Sequence, residues 1–140
     1  MAPSLKLDEL DSRLRAVLID PYAGSREGLR ASLEAEGCLV EVAADAEHAL
    51  ALVRRGGFDV GVIDLDLSPA HGMVRSAWVL ARLFRTFNPS SPVVLFVAEI
   101  GRDLVSEAAS MHPALLLEKP INPARLRAVV RQLRTTTAAG

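Results

Sequence analysis

The sequence predicts a doubly wound α/β domain built on a five-stranded parallel sheet. Three observations carry that expectation. Short apolar runs alternate with amphipathic segments five times along the chain. The runs are continuous rather than alternating, as strands covered on both faces must be. The length, 140 residues, suits one domain with a sizeable core, and half the residues are hydrophobic while 24% are charged. Aromatic residues make up only 4%, so the core must be aliphatic.

The elements follow in order. RAVLI (15–19) reads as a buried strand. SREGLRASLEAEG (25–37) reads as a helix, with Leu29 and Leu33 one turn apart and Gly37 as its stop. CLVEVA (38–43) is a strand. DAEHALALVRRGG (45–57) opens on an Asp N-cap and ends Arg-Arg-Gly, an order that suits the helix dipole. FDVGVID (58–64) is a strand. MVRSAWVLARLFRTF (73–87) is a helix stopped by NPSSP. VVLFVA (93–98) is a strand, RDLVSEAASM (102–111) a helix, ALLL (114–117) a short strand, and PARLRAVVRQLR (123–134) a helix with proline at its start. The domain is thus expected over 15–134, with residues 1–14 as an N-terminal leader and 135–140 as a flexible tail.

Composition excludes several classes. No apolar run approaches the ~20 residues that a membrane span requires. The acids in MAPSLKLDELDSRLR are foreign to a signal peptide. One cysteine, Cys38, forms no internal disulfide. These features lead us to expect a cytoplasmic protein without a membrane association. The net charge of −1 conceals an asymmetry: residues 1–74 carry 7 basic and 13 acidic side chains, residues 75–140 carry 9 and 4. Such a split can steer an acidic partner, although a solvated helix face explains any single arginine.

In open α/β sheets, sites form at the carboxyl ends of the strands. Here those ends carry Asp20, the pair Asp64 and Asp66, Val97-Ala98-Glu99, and Glu118-Lys119-Pro120. Read singly, Asp20 is a polar strand end and Lys119 a surface salt bridge to Glu118 or Asp64. Their expected convergence in one crevice is the functional signal.

At these residues the chain resembles the receiver domain of two-component response regulators, from about Arg15 to Leu133. VLIDPYAGSREGLRASLEAEG resembles the family's first strand and helix, and FDVGVIDLDL its phosphoacceptor strand. Gly72 matches a loop glycine, and LLLEKPINPARL resembles the last strand, a Lys-Pro step with a cis peptide, and the final helix. The resemblance implies a flavodoxin-like three-layer sandwich and a bacterial phosphorelay role rather than an enzyme. It implies that Asp64 accepts the phosphoryl group, that Lys119 contacts the phosphate, and that Asp20, Asp64 and the carbonyl of Asp66 hold Mg²⁺. It implies a sensor histidine kinase, another signalling protein or a second copy of the chain as partner. The docking face would be built from the fourth helix, fifth strand and fifth helix, with Arg102, Glu107, Leu115, Arg125, Arg127 and Arg131.

The chain departs from the family's pattern at its chemistry. Pro21 stands where a second metal-binding acid belongs, and proline brings no carboxylate and no N–H. Because Mg²⁺ demands near-octahedral oxygen ligands, weak or absent metal binding is expected. Val97 replaces a Thr or Ser whose hydroxyl bonds the phosphoryl group. A hydrogen bond to a charged group contributes ~1.5–3 kcal/mol, and allosteric couplings total ~1–3 kcal/mol, so this loss removes much of a switch. Leu116 replaces the aromatic residue that reports activation. Ser68-Pro69 shifts a loop proline, and His71 lies near the crevice in sequence. The departures describe a pseudo-receiver that works by docking, with a conventional Mg²⁺-dependent single-domain regulator as the alternative.

Two rivals remain. VIDLDLS also matches the hhhDxDx[ST] motif of haloacid-dehalogenase-like phosphatases, in which one Asp attacks and a second acts as acid/base. The later acids, Glu99, Asp103, Glu107 and Glu118, contain no adjacent pair for that family's metal, and the motif falls on the third strand. A nucleic-acid binder would need a reading helix after the domain, and only 21 residues follow Lys119.

Overall fold

The computed structural model of the chain describes residues 13–67, 77–113 and 115–139, the last six as backbone only. Its strands are β1 (Arg15–Ile19), β2 (Leu39–Ala43), β3 (Val60–Asp64), β4 (Val93–Val97) and β5 (Leu115–Glu118). They alternate with α1 (Ala23–Ala35), α2 (Ala46–Arg55), α3 (Ala77–Phe87), α4 (Arg102–Met111) and α5 (Pro123–Ala139). All strand pairs are parallel, in the order β2-β1-β3-β4-β5. The expected doubly wound sheet is the sheet found.

The period of two along each strand divides the apolar residues between two cores. Ala16, Leu18, Val60, Val62, Val94 and Phe96 face Leu29 and Leu33 of α1 and Leu126 and Val130 of α5. Val17, Ile19, Ile63, Val93 and Leu95 face Val53 of α2, Leu80 and Phe84 of α3, and Met111 of α4. Both faces being covered explains the continuous apolar runs. Register then sets the ends level: Ile19 lies beside Ile63, Asp64 beside Phe96, and Val97 beside Glu118. The polar residues that end β1, β3 and β5 therefore reach one rim.

Local signals hold where a side chain supplies the bond. Asp45 accepts the His48 N–H at 2.8 Å and caps α2, as its sequence position suggested. Asn88 of NPSSP ends α3 in a buried clamp: its Oδ1 accepts the Phe58 N–H at 2.9 Å and its Nδ2 donates to the Phe84 carbonyl at 3.0 Å. Boundaries moved elsewhere. Helix α1 starts at Ala23, two positions before the expected Ser25, because Asp20 accepts bonds from the residues at its entry. Helix α5 runs to Ala139, beyond the end expected at Arg134. Ser68, Pro69, His71, Gly72 and Arg75, and the expected start of α3 at 73, lie outside the described residues, as does most of the leader.

Gly61 of β3 lies directly against α3. A Cβ built there would lie 2.9 Å from the Phe84 ring, itself fully buried on α3. Overpacking of this kind costs about 1–3 kcal/mol. We expect Gly61→Ala to lower the unfolding free energy by that amount, read by denaturant titration of the fluorescence of the single tryptophan, Trp78. Phe84→Leu should absorb part of the penalty, so that the double variant is less unstable than the sum of the singles.

Candidate functional site

Strand β3 delivers Asp64 to the rim with its side chain fully buried. An ionised carboxylate in that position needs partners, and it has one at each oxygen. Asp64 Oδ1 accepts the Asp66 N–H at 2.8 Å, and Oδ2 accepts from Lys119 Nζ at 2.9 Å. Lys119 arrives from the end of β5, across β4, where its own N–H donates to the Val97 carbonyl at 2.8 Å. The peptide that follows it, Lys119–Pro120, is cis.

The ammonium is shared. Lys119 Nζ also donates to Asp66 Oδ2 at 2.9 Å, and the same oxygen accepts the Ala98 N–H at 2.7 Å. Two rings complete its surroundings, Tyr22 at 4.8 Å and Phe96 at 5.6 Å from Nζ to the ring centre. Tyr22, the only tyrosine, was not singled out from the sequence; the sole signal was its place two residues after Asp20 in an aromatic-poor chain.

The charges bear on one another's titration. Burial pushes the Asp64 carboxyl above its ordinary range, and the hydrogen bonds from Lys119 and Asp66 only partly offset it. Burial pulls Lys119 down, but its bonds to Asp64 and Asp66 outweigh that and hold it above an ordinary lysine. The pairing thus favours the charged form of Lys119 more than it favours that of Asp64.

Asp20 is fully buried and belongs to a separate network. Its Oδ1 accepts the Tyr22 N–H at 2.9 Å, its Oδ2 accepts the Ser25 hydroxyl at 2.5 Å, and its carbonyl accepts from Arg26 Nη1 at 2.9 Å. These bonds fasten the entry of α1. The metal reading can be tested on this donor set. Pro21 adds no oxygen, both carboxylate oxygens of Asp20 already accept, and Asp66 turns its side chain to Lys119 and Ala98. Among the described residues no group of three or more His, Cys, Asp or Glu side chains is arranged to hold a metal ion. The donors present do not fit a tight Mg²⁺ centre.

The remaining expected positions divide. Val97 is buried at the end of β4, where its carbonyl accepts the Lys119 N–H, and its side chain has no hydroxyl. Leu116 packs against the core on the α3 and α4 side of the sheet. Arg102, Glu107 and Arg125 are exposed and Leu115 is half-buried. Arg127 and Arg131 go elsewhere. Both reach Glu36 at the end of α1, with N–O distances of 2.9 and 2.8 Å, and together they hold that carboxyl below the usual range, Arg131 more strongly. Arg85, counted in the basic half, donates to the carbonyls of Met111 and His112 and closes the C-terminus of α4. Part of the apparent steering charge is therefore spent within the fold.

A buried strand-end aspartate paired with a lysine from a second strand, at the point where strand order reverses, defines a doubly wound module with a carboxylate–ammonium crevice. The response regulator receiver domain family matches residues 16–131, and the chain belongs to that family. Receiver domains are in general non-enzymatic signalling modules that interact with histidine kinases and bind Mg²⁺. The chain is 30% identical over 128 residues, 91% of its length, to the sensor histidine kinase AruS of Pseudomonas aeruginosa. It is 33% identical over 120 residues, 85% of its length, to the alginate biosynthesis transcriptional regulatory protein AlgB of the same organism. It spans only 13% and 26% of those two proteins. Among solved structures it resembles a CheY-like receiver domain protein from Methanospirillum hungatei JF-1, with a TM-score of 0.78 at 19% identity, covering 91% of this chain and 99% of that one. It also resembles a response regulator protein from Burkholderia pseudomallei with a phosphorylated aspartic acid, calcium ion and citrate, with a TM-score of 0.73 at 20% identity, covering 90% and 71%. Among the described residues no helix is long and apolar enough to cross a membrane.

The raised Asp64 carboxyl gives a stability prediction. A carboxyl that binds its proton more tightly when folded adds stability below its unfolded pKa, and loses that contribution as pH rises through the folded pKa. Ionised Asp64 therefore contributes less to stability than protonated Asp64 does. We expect Asp64→Asn to raise the melting temperature by a few degrees near neutral pH, with the gain vanishing below the ordinary aspartate range. Parallel melts across pH, followed by circular dichroism, check both the sign and its loss in acid.

Proposed function

We propose that the chain is a receiver module that signals by protein–protein docking, with Asp64 as its phosphoacceptor and with weakened coupling from Asp64 to the docking face. The observation that carries this is the ion pair of Asp64 and Lys119 at 2.9 Å beside a strand end, Val97, that offers no hydroxyl. A carboxylate oxygen of Asp64 would form the new bond to phosphorus. The donor's bond to phosphorus would break, its electron pair leaving with the donor atom, while the Lys119 charge offsets the phosphoryl oxygens. Val97 then gives the product no hydrogen bond by which to draw in the β4–α4 segment.

The docking face on this reading comprises Arg102, Val105 and Glu107 of α4, Leu115 of β5 and Arg125 of α5, with Val105 about half exposed, at 52%. A histidine kinase, another signalling protein or a second copy would bind there, in the cytoplasm. Arg127 and Arg131 are poor probes of this face, because reversing them would also break their pairing with Glu36. Mg²⁺ would bind weakly, for want of a carboxylate at Pro21. The intact Asp64–Lys119 geometry favours one second reading, a conventional Mg²⁺-dependent regulator. The phosphatase reading has no adjacent pair of acids after Asp66 to support it.

Amide NMR spectra with Mg²⁺ and saturating beryllofluoride, which mimics an aspartyl phosphate, test the proposal. Shifts near Asp64, Ala98 and Lys119 that are lost in Asp64→Asn, with little change at 102–107 and 115, are the expected result. Absence of any shift would remove Asp64 as acceptor. Full propagation to the docking face would replace the proposal with the conventional regulator.

A further inference from the structure

The crevice holds an anion of its own. Lys119 Nζ stands 2.9 Å from Asp64 Oδ2 and 2.9 Å from Asp66 Oδ2. Asp66 Oδ2 in turn accepts the Ala98 N–H at 2.7 Å. Asp64 is fully buried, whereas the Asp66 side chain is 30% exposed. A group attached to Asp64 must grow outward, toward solvent, and there its oxygens would meet Asp66. The donors they would need are the ammonium of Lys119 and the amide of Ala98, and one oxygen of Asp66 already occupies both. The two carboxylates take two of the ammonium's three N–H bonds, and two rings flank it.

A second carboxylate extends the pattern. Glu118 Oε2 accepts the Ile100 N–H at 3.0 Å from the strand end beside Val97. The segment after β4, which has no hydroxyl at position 97 to draw it inward, is therefore held by carboxylates from both neighbouring strands.

We propose that Asp66 is a built-in occupant of the acceptor crevice, a latch that binds the two donors a phosphoryl group on Asp64 would use and that an incoming anion must displace. The proposal rests on Asp64 being the acceptor. It makes occupancy of the crevice the chain's resting condition, with the segment 98–100 already drawn in, and it makes loading of Asp64 a competition.

The test uses the whole chain and three forms, wild type, Asp66→Ala and Asp66→Asn, each with Mg²⁺. Beryllofluoride affinity is measured by NMR titration, and amide hydrogen exchange is followed at Ala98 and Ile100 without ligand. Asp66 is partly exposed, so both variants should fold; the Ile100 amide, held by Glu118, is the internal control. We expect Asp66→Ala to bind beryllofluoride about tenfold more tightly, since it frees hydrogen bonds to charged groups. Asp66→Asn, which keeps an acceptor oxygen but no charge, should gain less. Ala98 should exchange faster in Asp66→Ala, with Ile100 unchanged, and beryllofluoride should restore its protection. Equal gains in both variants would assign the effect to charge repulsion and overturn the latch. Unchanged affinity, or unchanged exchange at Ala98, would also overturn it, while leaving Asp64 as acceptor. Binding by none of the three forms would instead remove the acceptor reading, and the latch with it.

Discussion

The ammonium of Lys119 ties three strand ends together. Its side chain bonds Asp64 on β3 and Asp66 just beyond it, and its backbone N–H bonds the end of β4. Without it Asp64 would be an unpaired charge with no exposed surface, which a fold of ordinary stability cannot carry. Even with it the account stays negative on the carboxylate side, because desolvation outweighs the hydrogen bonds. On the lysine side the balance is reversed, because the bonds to Asp64 and Asp66 outweigh burial. The two together hold a buried carboxylate in a restrained geometry.

That pair also defines what the crevice lacks. On the proposed reading, the chain lacks a carboxylate at Pro21, a hydroxyl at Val97 and a ring at Leu116. Pro21 follows β1, Val97 ends β4, and Leu116 lies within β5 against the core. The carboxylates of Asp66 and Glu118 hold the β4–α4 segment through the amides of Ala98 and Ile100. On the proposed reading, they exert at rest the hold that a hydroxyl at 97 would exert only when an anion is present.

The architecture was legible because burial on both faces writes itself into sequence as unbroken apolar runs, and Asp45, Gly37 and Pro123 punctuate the helices by local chemistry alone. The meeting of Asp64 with Lys119 was legible too, since both close buried strands of one parallel sheet. What escaped was side-chain direction. No spacing rule says that Asp20 turns to the entry of α1, or that Asp66 turns to Ala98. Nor could spacing show that Arg127 and Arg131, one turn apart on α5, would share Glu36 at the far side of α1. Those choices depend on which oppositely charged group lies within reach after folding, a distance of 91 residues along the chain in the case of Arg127 and Glu36.

The same pairing changes how the charge asymmetry should be understood. A basic half facing an acidic half looks, in sequence, like a field for steering a partner. In the folded chain several of those charges meet one another. Arg127 and Arg131 clamp α5 to α1, Arg85 closes α4, and Lys119 is held in the crevice. Exposed pairs contribute little stability each, but they fix the direction in which long side chains point. Among the described side chains, Arg102 and Arg125 are the arginines left facing solvent on the α4 and α5 side. A partner docking there would meet an exposed Val105 flanked by a small number of charges, so apolar contact rather than long-range steering would set its affinity.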